Sequence, residues 1–416
     1  MKTIEYGAFI QRLENDAIRE NRKYCFIIGS GCSESSGFPT GKEMAEQWFR
    51  EILVSCQEWE SCPQDLKSAL TDSAYSEESF KKILNMLVNE PHFFYRMLQK
   101  PISDPDEKPK FSDLVKLRFM NEVGSSYGIL TSWRFDTDDD ISSYFNNMNH
   151  KCGLKHSAGY SALANLMLKS RHNLVISTNF DTLLQDSINK IRSNEKEIYY
   201  DEPIIMSTVD TDIRCMKGGV FHSEEQSSYI FKLHHGLQNV KLLNLPHQTR
   251  YLPDKTFTFL DSVFEQYIPI VIGYSGGDIA FMDYLARTDQ LKGKELFWLK
   301  RNLSDIPYPV RRVLENVGIN SCMVQINGFD TSMVEIASVL SSTVNKDGSS
   351  GVIQEGTIIE SYRQDYMPNM KEDRKVELDQ EKSQNEEDSS SDSSSKLDYS
   401  YARKLEELKK FTRNRF

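Results

Sequence analysis

Six short runs, each almost wholly apolar, constrain this chain more than any other feature: Tyr24 to Ile28, Leu174 to Ser177, Ser228 to Leu233, Ile268 to Tyr274, Glu295 to Leu299 and Met323 to Ile326. Each has the length of a β-strand, and the apolarity predicts burial. Stretches of helical pattern over 157–170, 181–193, 257–267 and 278–290 separate most of them. Strand and helix in alternation predict a parallel sheet covered on both faces, an α/β fold of the Rossmann-like kind. Two further helices are expected before the second run. Residues 1–22 carry Phe9, Ile10, Leu13 and Ile18 near helical spacing, and 41–55 carry Met44, Ala45, Trp48, Phe49, Ile52 and Leu53.

The stretch 56–150 interrupts this rhythm. It has no alternating strands, reads as mostly helical, and holds aromatic anchors such as Phe93, Phe94, Tyr95 and Phe119. A helical insertion within a sheet domain spanning 1–345 accounts for it. Beyond 345 the character changes again. Residues 346–395 form an acidic, serine-rich linker ending in Ser393-Ser394-Ser395. Such a segment buries too little apolar area to offset its ordering entropy, and disorder is expected. Residues 396–416 turn basic and amphipathic, with Leu397, Tyr401, Leu405, Leu408 and Phe411 on one side. They read either as a frayed terminal helix or as a short partner-binding helix on a flexible tether.

Charge and cysteine usage exclude several classes. A net charge of −11 argues against non-specific binding to duplex phosphates. The early residues lack the basic head and apolar core of a secretory signal. No apolar run approaches the ~20 residues that span a bilayer, so no membrane association is expected. Seven scattered cysteines, an odd number, suggest reduced thiols and a cytoplasmic location. Cys56 and Cys62 are the only close pair and their spacing is poor for zinc, so no metal is expected.

Four of the runs end in polar or glycine-rich clusters. In open α/β sheets, ligands bind outside the carboxyl ends of the strands. After the first run comes Gly29-Ser30-Gly31-Cys32-Ser33-Glu34-Ser35-Ser36-Gly37. Its glycines would let the backbone approach a pyrophosphate, with hydroxyls such as those of Ser30, Ser33 and Ser36 on the oxygens. It also reads as a plain turn, because the third glycine arrives too late for the dinucleotide fingerprint. After the second run comes Ser177-Thr178-Asn179-Phe180-Asp181. Its amide and carboxylate suit hydrogen bonds to sugar hydroxyls and water, although Asp181 could simply cap the next helix. After the third come Lys232-Leu233-His234-His235-Gly236, with histidine as a general base near neutral pH. After the fourth comes Gly273-Tyr274-Ser275-Gly276-Gly277-Asp278, which could hold an adenosine ribose and phosphate or be a tight turn with Asp278 as N-cap.

In this order the four clusters resemble the sirtuin-like domain, and most of all the bacterial branch found in anti-phage defence effectors. The resemblance covers roughly 24–340, apart from the insertion. It implies NAD as substrate, Asn179 beside the nicotinamide ribose, and His234 or His235 as the base. The family's usual Lys-Leu-His-Gly here carries an extra histidine. It implies NAD contacts at Gly29, Ser30, Gly31, Ser33, Ser36, Thr178, Gly273, Ser275 and Asp278, with Asp181 beside the ribose or the developing positive charge. Deacylating sirtuins carry paired cysteine zinc ligands and an Asp-Phe-Arg stretch after the first loop; this chain has neither.

The expected activity is therefore an NAD glycohydrolase giving nicotinamide and ADP-ribose, an abortive-infection effector in anti-phage defence. A homo-oligomer and a HerA-type hexameric ATPase are the partners the resemblance implies. Two alternatives stand beside it: a non-catalytic subunit that binds NAD or ADP-ribose and regulates a partner, and an NAD-dependent protein deacylase.

Overall fold

Side-chain alternation along the second strand decides the architecture. In β2 (Lys23–Ile28) the residues Tyr24, Phe26 and Ile28 enter one apolar cluster, while Cys25 and Ile27 enter another. A strand buried on both faces needs a layer of helices on each side. The computed structural model describes residues 2–18, 22–61, 64–71, 108–119, 123, 126–151, 157–194, 201–208, 216–217, 220–221, 227–234 and 252–341. The segments expected at 346–395 and 396–416, and His235, lie outside the described residues.

The strands are β1 (Lys2–Ile4), β2, β3 (Leu174–Ser177), β4 (Ile204–Ser207), β5 (Met216–Lys217), β6 (Val220–Phe221), β7 (Tyr229–Lys232), β8 (Tyr267–Ile272), β9 (Leu296–Lys300) and β10 (Ser321–Gln325). Eight of them form one sheet in the order β1-β10-β9-β8-β2-β3-β7-β4. Every pairing in it is parallel. The strands β5 and β6 pair antiparallel apart from it. From β2 the chain passes to β3 and on to the edge strand β4, comes back one place to β7, and crosses to the other side of β2 for β8, β9 and β10. The reversal falls between β2 and β8, and the carboxyl ends of strands at such a switch point splay apart to leave a crevice.

One face is covered by α1 (Tyr6–Ile18), α8 (Ala158–Lys169), α9 (Leu183–Asn194) and α13 (Phe329–Ser341). The other is covered by α10 (Asp254–Gln266), α11 (Ile279–Leu285) and α12 (Tyr308–Val317). After β2 the chain enters α2 (Gly41–Ser55), whose start is fixed by a reciprocal capping box between Thr40 and Glu43. The described part of the insertion is helical: α3 (Gln57–Ser61), α4 (Gln64–Thr71), α5 (Phe111–Phe119), α6 (Tyr127–Arg134) and α7 (Asp138–Lys151). The buried Arg118 of α5 clamps Glu46 of α2 with two bonds of 3.1 and 2.6 Å and lies over the Phe49 ring. That fork geometry ties the insertion to the sheet domain.

The expected helix over 1–22 needs correction. It begins only at Tyr6, because Lys2–Ile4 pairs with β10 as an edge strand. Three residues are too few to carry a period of their own.

His172 shows how the interior sets a protonation state. Its Nδ1 accepts the Tyr24 backbone N–H at 3.0 Å, and burial pulls its pKa down to about 3. The unfolded chain takes up this proton below about pH 6.5, whereas the folded protein refuses it until about pH 3. Stability at this site is complete above pH 6.5 and declines as the pH falls from there toward 3. Lowering the pH from 7 to 5 should cost about 2 kcal/mol here. Urea unfolding at the two pH values, in wild type and His172→Gln, checks this: the acid sensitivity of the variant should be smaller by that amount.

Candidate functional site

The loops after β2 and β8 touch backbone to backbone. A Cβ on Gly29 would lie 2.5 Å from the Gly273 carbonyl oxygen, and one on Gly273 would lie 2.5 Å from Cys32 Sγ. Gly273 also has a φ of +64°, which glycine alone adopts without strain. The Gly29 amide donates to the Ile272 carbonyl at 3.2 Å and the Gly31 amide to Gly273 at 2.9 Å. The rest of the first loop folds into two 3₁₀ turns, which engage the amides of Cys32, Ser33, Ser36 and Gly37. The amides of Gly29, Gly31, Cys32, Ser33, Ser36 and Gly37 are thus taken up by the protein, and the glycines permit close approach of the two loops. Cys32 donates its thiol to Ile272 O, and burial pushes its pKa up, which favours the thiol over the thiolate. The Ser36 hydroxyl is buried without a partner, and Ser30 is half-buried.

Beneath this loop lies a buried polar network. Asn179 Nδ2 contacts the Gly29 carbonyl at 3.0 Å, the Tyr160 hydroxyl at 3.1 Å and Ser33 Oγ at 3.2 Å. A carbonyl only accepts, so the nitrogen of the amide must face Gly29. The Asn179 Oδ1 is then left without a partner, although the residue is only 5% exposed. Ser33 donates to Asp181 Oδ2 at 2.6 Å, and Asp181 Oδ1 accepts the Leu183 amide at 3.2 Å. Both oxygens of Asp181, expected among the catalytic groups, are thus engaged inside the protein, one of them at the start of α9. Thr178 gives its amide and its hydroxyl to the Ile28 carbonyl, which joins the ends of β2 and β3.

Lys232 is the functional-site residue that sequence reasoning passed over. Its Nζ donates to the carbonyls of Asn179 at 3.2 Å and Asp181 at 2.6 Å. Burial pulls its pKa down against the opposing charges of Asp181 and Asp186. The available signal was a lysine closing an apolar strand, an arrangement that demands a specific partner.

The second half of the site spans the crevice. Strands β7 and β8 are separated by β2 and β3, three spacings or about 14 Å apart. Their loops nonetheless meet, with His234 Nε2 on Asp278 Oδ1. Asp278 stands at the N-cap of α11, but its side chain makes no capping bond. Burial by itself raises its carboxyl; the His234 imidazole and the Tyr274 hydroxyl outweigh that and hold it below the usual carboxylate range. Asp278 was expected to contact NAD or to cap the next helix, and here its carboxylate is on a histidine. Ser275, on the same turn, is exposed.

The Phe180 ring lies 6.0 Å from that of His234 and stacks at 4.7 Å on Phe145 of α7, which in turn lies 6.4 Å from Phe38. The Asp278 charge also reaches Tyr127 of α6, whose pKa is pushed up by burial, by Tyr144 and by that charge. The insertion therefore reaches the His234–Asp278 pair through Phe180 and through Tyr127.

The structure gathers Gly29, Ser33, Asn179 and Asp181 into one network and joins His234 to Asp278. Among the described residues no group of three His, Cys, Asp or Glu side chains could hold a metal ion. No helix among them is long and apolar enough to cross a membrane. The four described cysteines, Cys25, Cys32, Cys56 and Cys322, are free thiols. No protein-family model matches the chain, and no curated protein matches its sequence.

Proposed function

We propose that this chain is an NAD glycohydrolase that cleaves NAD to nicotinamide and ADP-ribose. The observation that carries the reading is the Asn179 Oδ1: a buried acceptor with no partner, at the carboxyl end of a central parallel strand. An unpaired buried acceptor costs free energy, and a ligand hydroxyl or a water would satisfy it. The His234 imidazole, held at the neighbouring strand end, supplies the second group.

In the reaction, the bond between C1′ and the cationic nicotinamide breaks with oxocarbenium character. Water adds at C1′, nicotinamide leaves neutral, and one proton is released. Asn179 Oδ1 would accept from the ribose or the water, and His234 would take the proton. Each such group is worth about 10²–10⁴ in rate. Under this reading the protein is an anti-phage effector of the sirtuin-like kind, kept silent until infection and docked to a HerA-type ATPase.

The test is nicotinamide release from NAD, followed with the chain alone and then with its genomic neighbour. Release in neither condition would remove the activity. A second reading, a nucleotide-binding regulatory subunit, rests on the same unpaired Asn179 Oδ1, which would serve a bound ligand without turnover. Saturable NAD binding without nicotinamide release would favour it.

A further inference from the structure

We infer that Asp278 is the positioning residue of His234: it holds the Nε2 proton of the imidazole and leaves Nδ1 as the atom that takes up a proton. The inference rests on the reading of His234 as the base, and its first test does not.

The argument starts from the turn itself. Gly276 has a φ of +81°, and a Cβ there would press on Met282 and Val310 at 3.0 Å. This glycine lets the chain double back, so that the Asp278 amide reaches the hydroxyl of Tyr274 at 3.4 Å. Tyr274 is itself fixed against Trp298, with ring centroids 6.0 Å apart, and its hydroxyl also favours the ionised Asp278 carboxylate. The glycine-rich turn therefore presents one carboxylate in one place.

A purely local role would put that carboxylate on the first amides of α11, and no such bond forms. Instead it reaches the histidine of a strand three places away in the sheet. An ionised carboxylate only accepts, so the ring nitrogen facing it must carry the hydrogen. A neutral imidazole has one N–H, which leaves the lone pair on Nδ1. The Phe180 ring beside His234 restricts the imidazole further. Among the described residues, the other titratable groups near the pair are Tyr274 and Tyr127. Lys232, two residues back on β7, is bound to carbonyls.

The first measurement is the ¹⁵N spectrum of histidine-labelled protein at neutral pH, with His234 identified by His234→Ala. The expected tautomer is Nε2–H in wild type, and Asp278→Asn should abolish that preference. A Nδ1–H tautomer, or one indifferent to Asp278→Asn, overturns the inference whether or not the protein turns over NAD. The second measurement is kinetic. Asp278→Asn should lower kcat for nicotinamide release about 10²–10⁴-fold, with KM within about threefold. In a His234→Ala background the same change should cost less than about twofold, because Asp278 acts through the histidine. Full or increased turnover in Asp278→Asn would make the pair a latch across the crevice and refute the positioning role. The expected tautomer in a wild type that releases no nicotinamide would instead uphold the pairing and remove the NAD glycohydrolase reading.

Discussion

Replacing Asn179 by alanine is expected to lower nicotinamide release about 10²–10⁴-fold, the cost of losing one well-placed polar group at a reacting centre. The substitution also removes the Nδ2 bonds to Gly29, Tyr160 and Ser33. The Gly29 carbonyl would lose its side-chain donor, at a cost of about 1–3 kcal/mol. The two effects separate by temperature. Activity is measured well below the unfolding midpoint of the variant, and unfolding is measured alongside. A variant that melts earlier yet degrades NAD at the wild-type rate would leave Asn179 as a structural residue and end its catalytic assignment.

The second large effect is expected at Lys232. Methionine keeps the unbranched apolar stem, one atom shorter, and removes the ammonium. The carbonyls of Asn179 and Asp181 then lose their donor, and the Asp181 carboxylate loses an opposing charge. Removing one partner of a buried charged group destabilises by about 3–5 kcal/mol. Urea unfolding should show a loss of that size in Lys232→Met. Nicotinamide release should fall as well, because the backbone of Asn179 is no longer held. A loss under about 1 kcal/mol would mean that the ammonium does not anchor the loop.

The central strands and their polar ends were legible in the sequence because they are apolar along their whole length and stop abruptly. The edge strands β1 and β4 were not. β1 has three residues, and β4, Ile204–Ser207, leaves Ile205 exposed, so neither gives a strong apolar run. The helices α12 and α13 escaped a reading centred on strand ends. At the site, Asn179 and His234 could be found because amides and imidazoles at strand ends signal chemistry. Their partners could not. The pairing of His234 with Asp278 depends on sheet order, which no local pattern encodes. The loss of the Gly29 and Gly31 amides depends on the backbone of a loop more than 200 residues away, whose Gly273 lies against Gly29. The acidic tail and the terminal helix expected beyond residue 345 lie outside the described residues.

The place of β2 in the sheet has a consequence for biosynthesis. It is the first central strand to leave the ribosome, and its two neighbours are β3 and β8, which begin at Leu174 and Tyr267. Pairings between segments so far apart in sequence form late, because the chain between them must exist and close first. A growing polypeptide can carry Asn179 long before it carries the loop that supports Gly29 or the carboxylate that meets His234. The crevice thus assembles only once the chain has grown past Asp278, and any product terminated earlier is born without it.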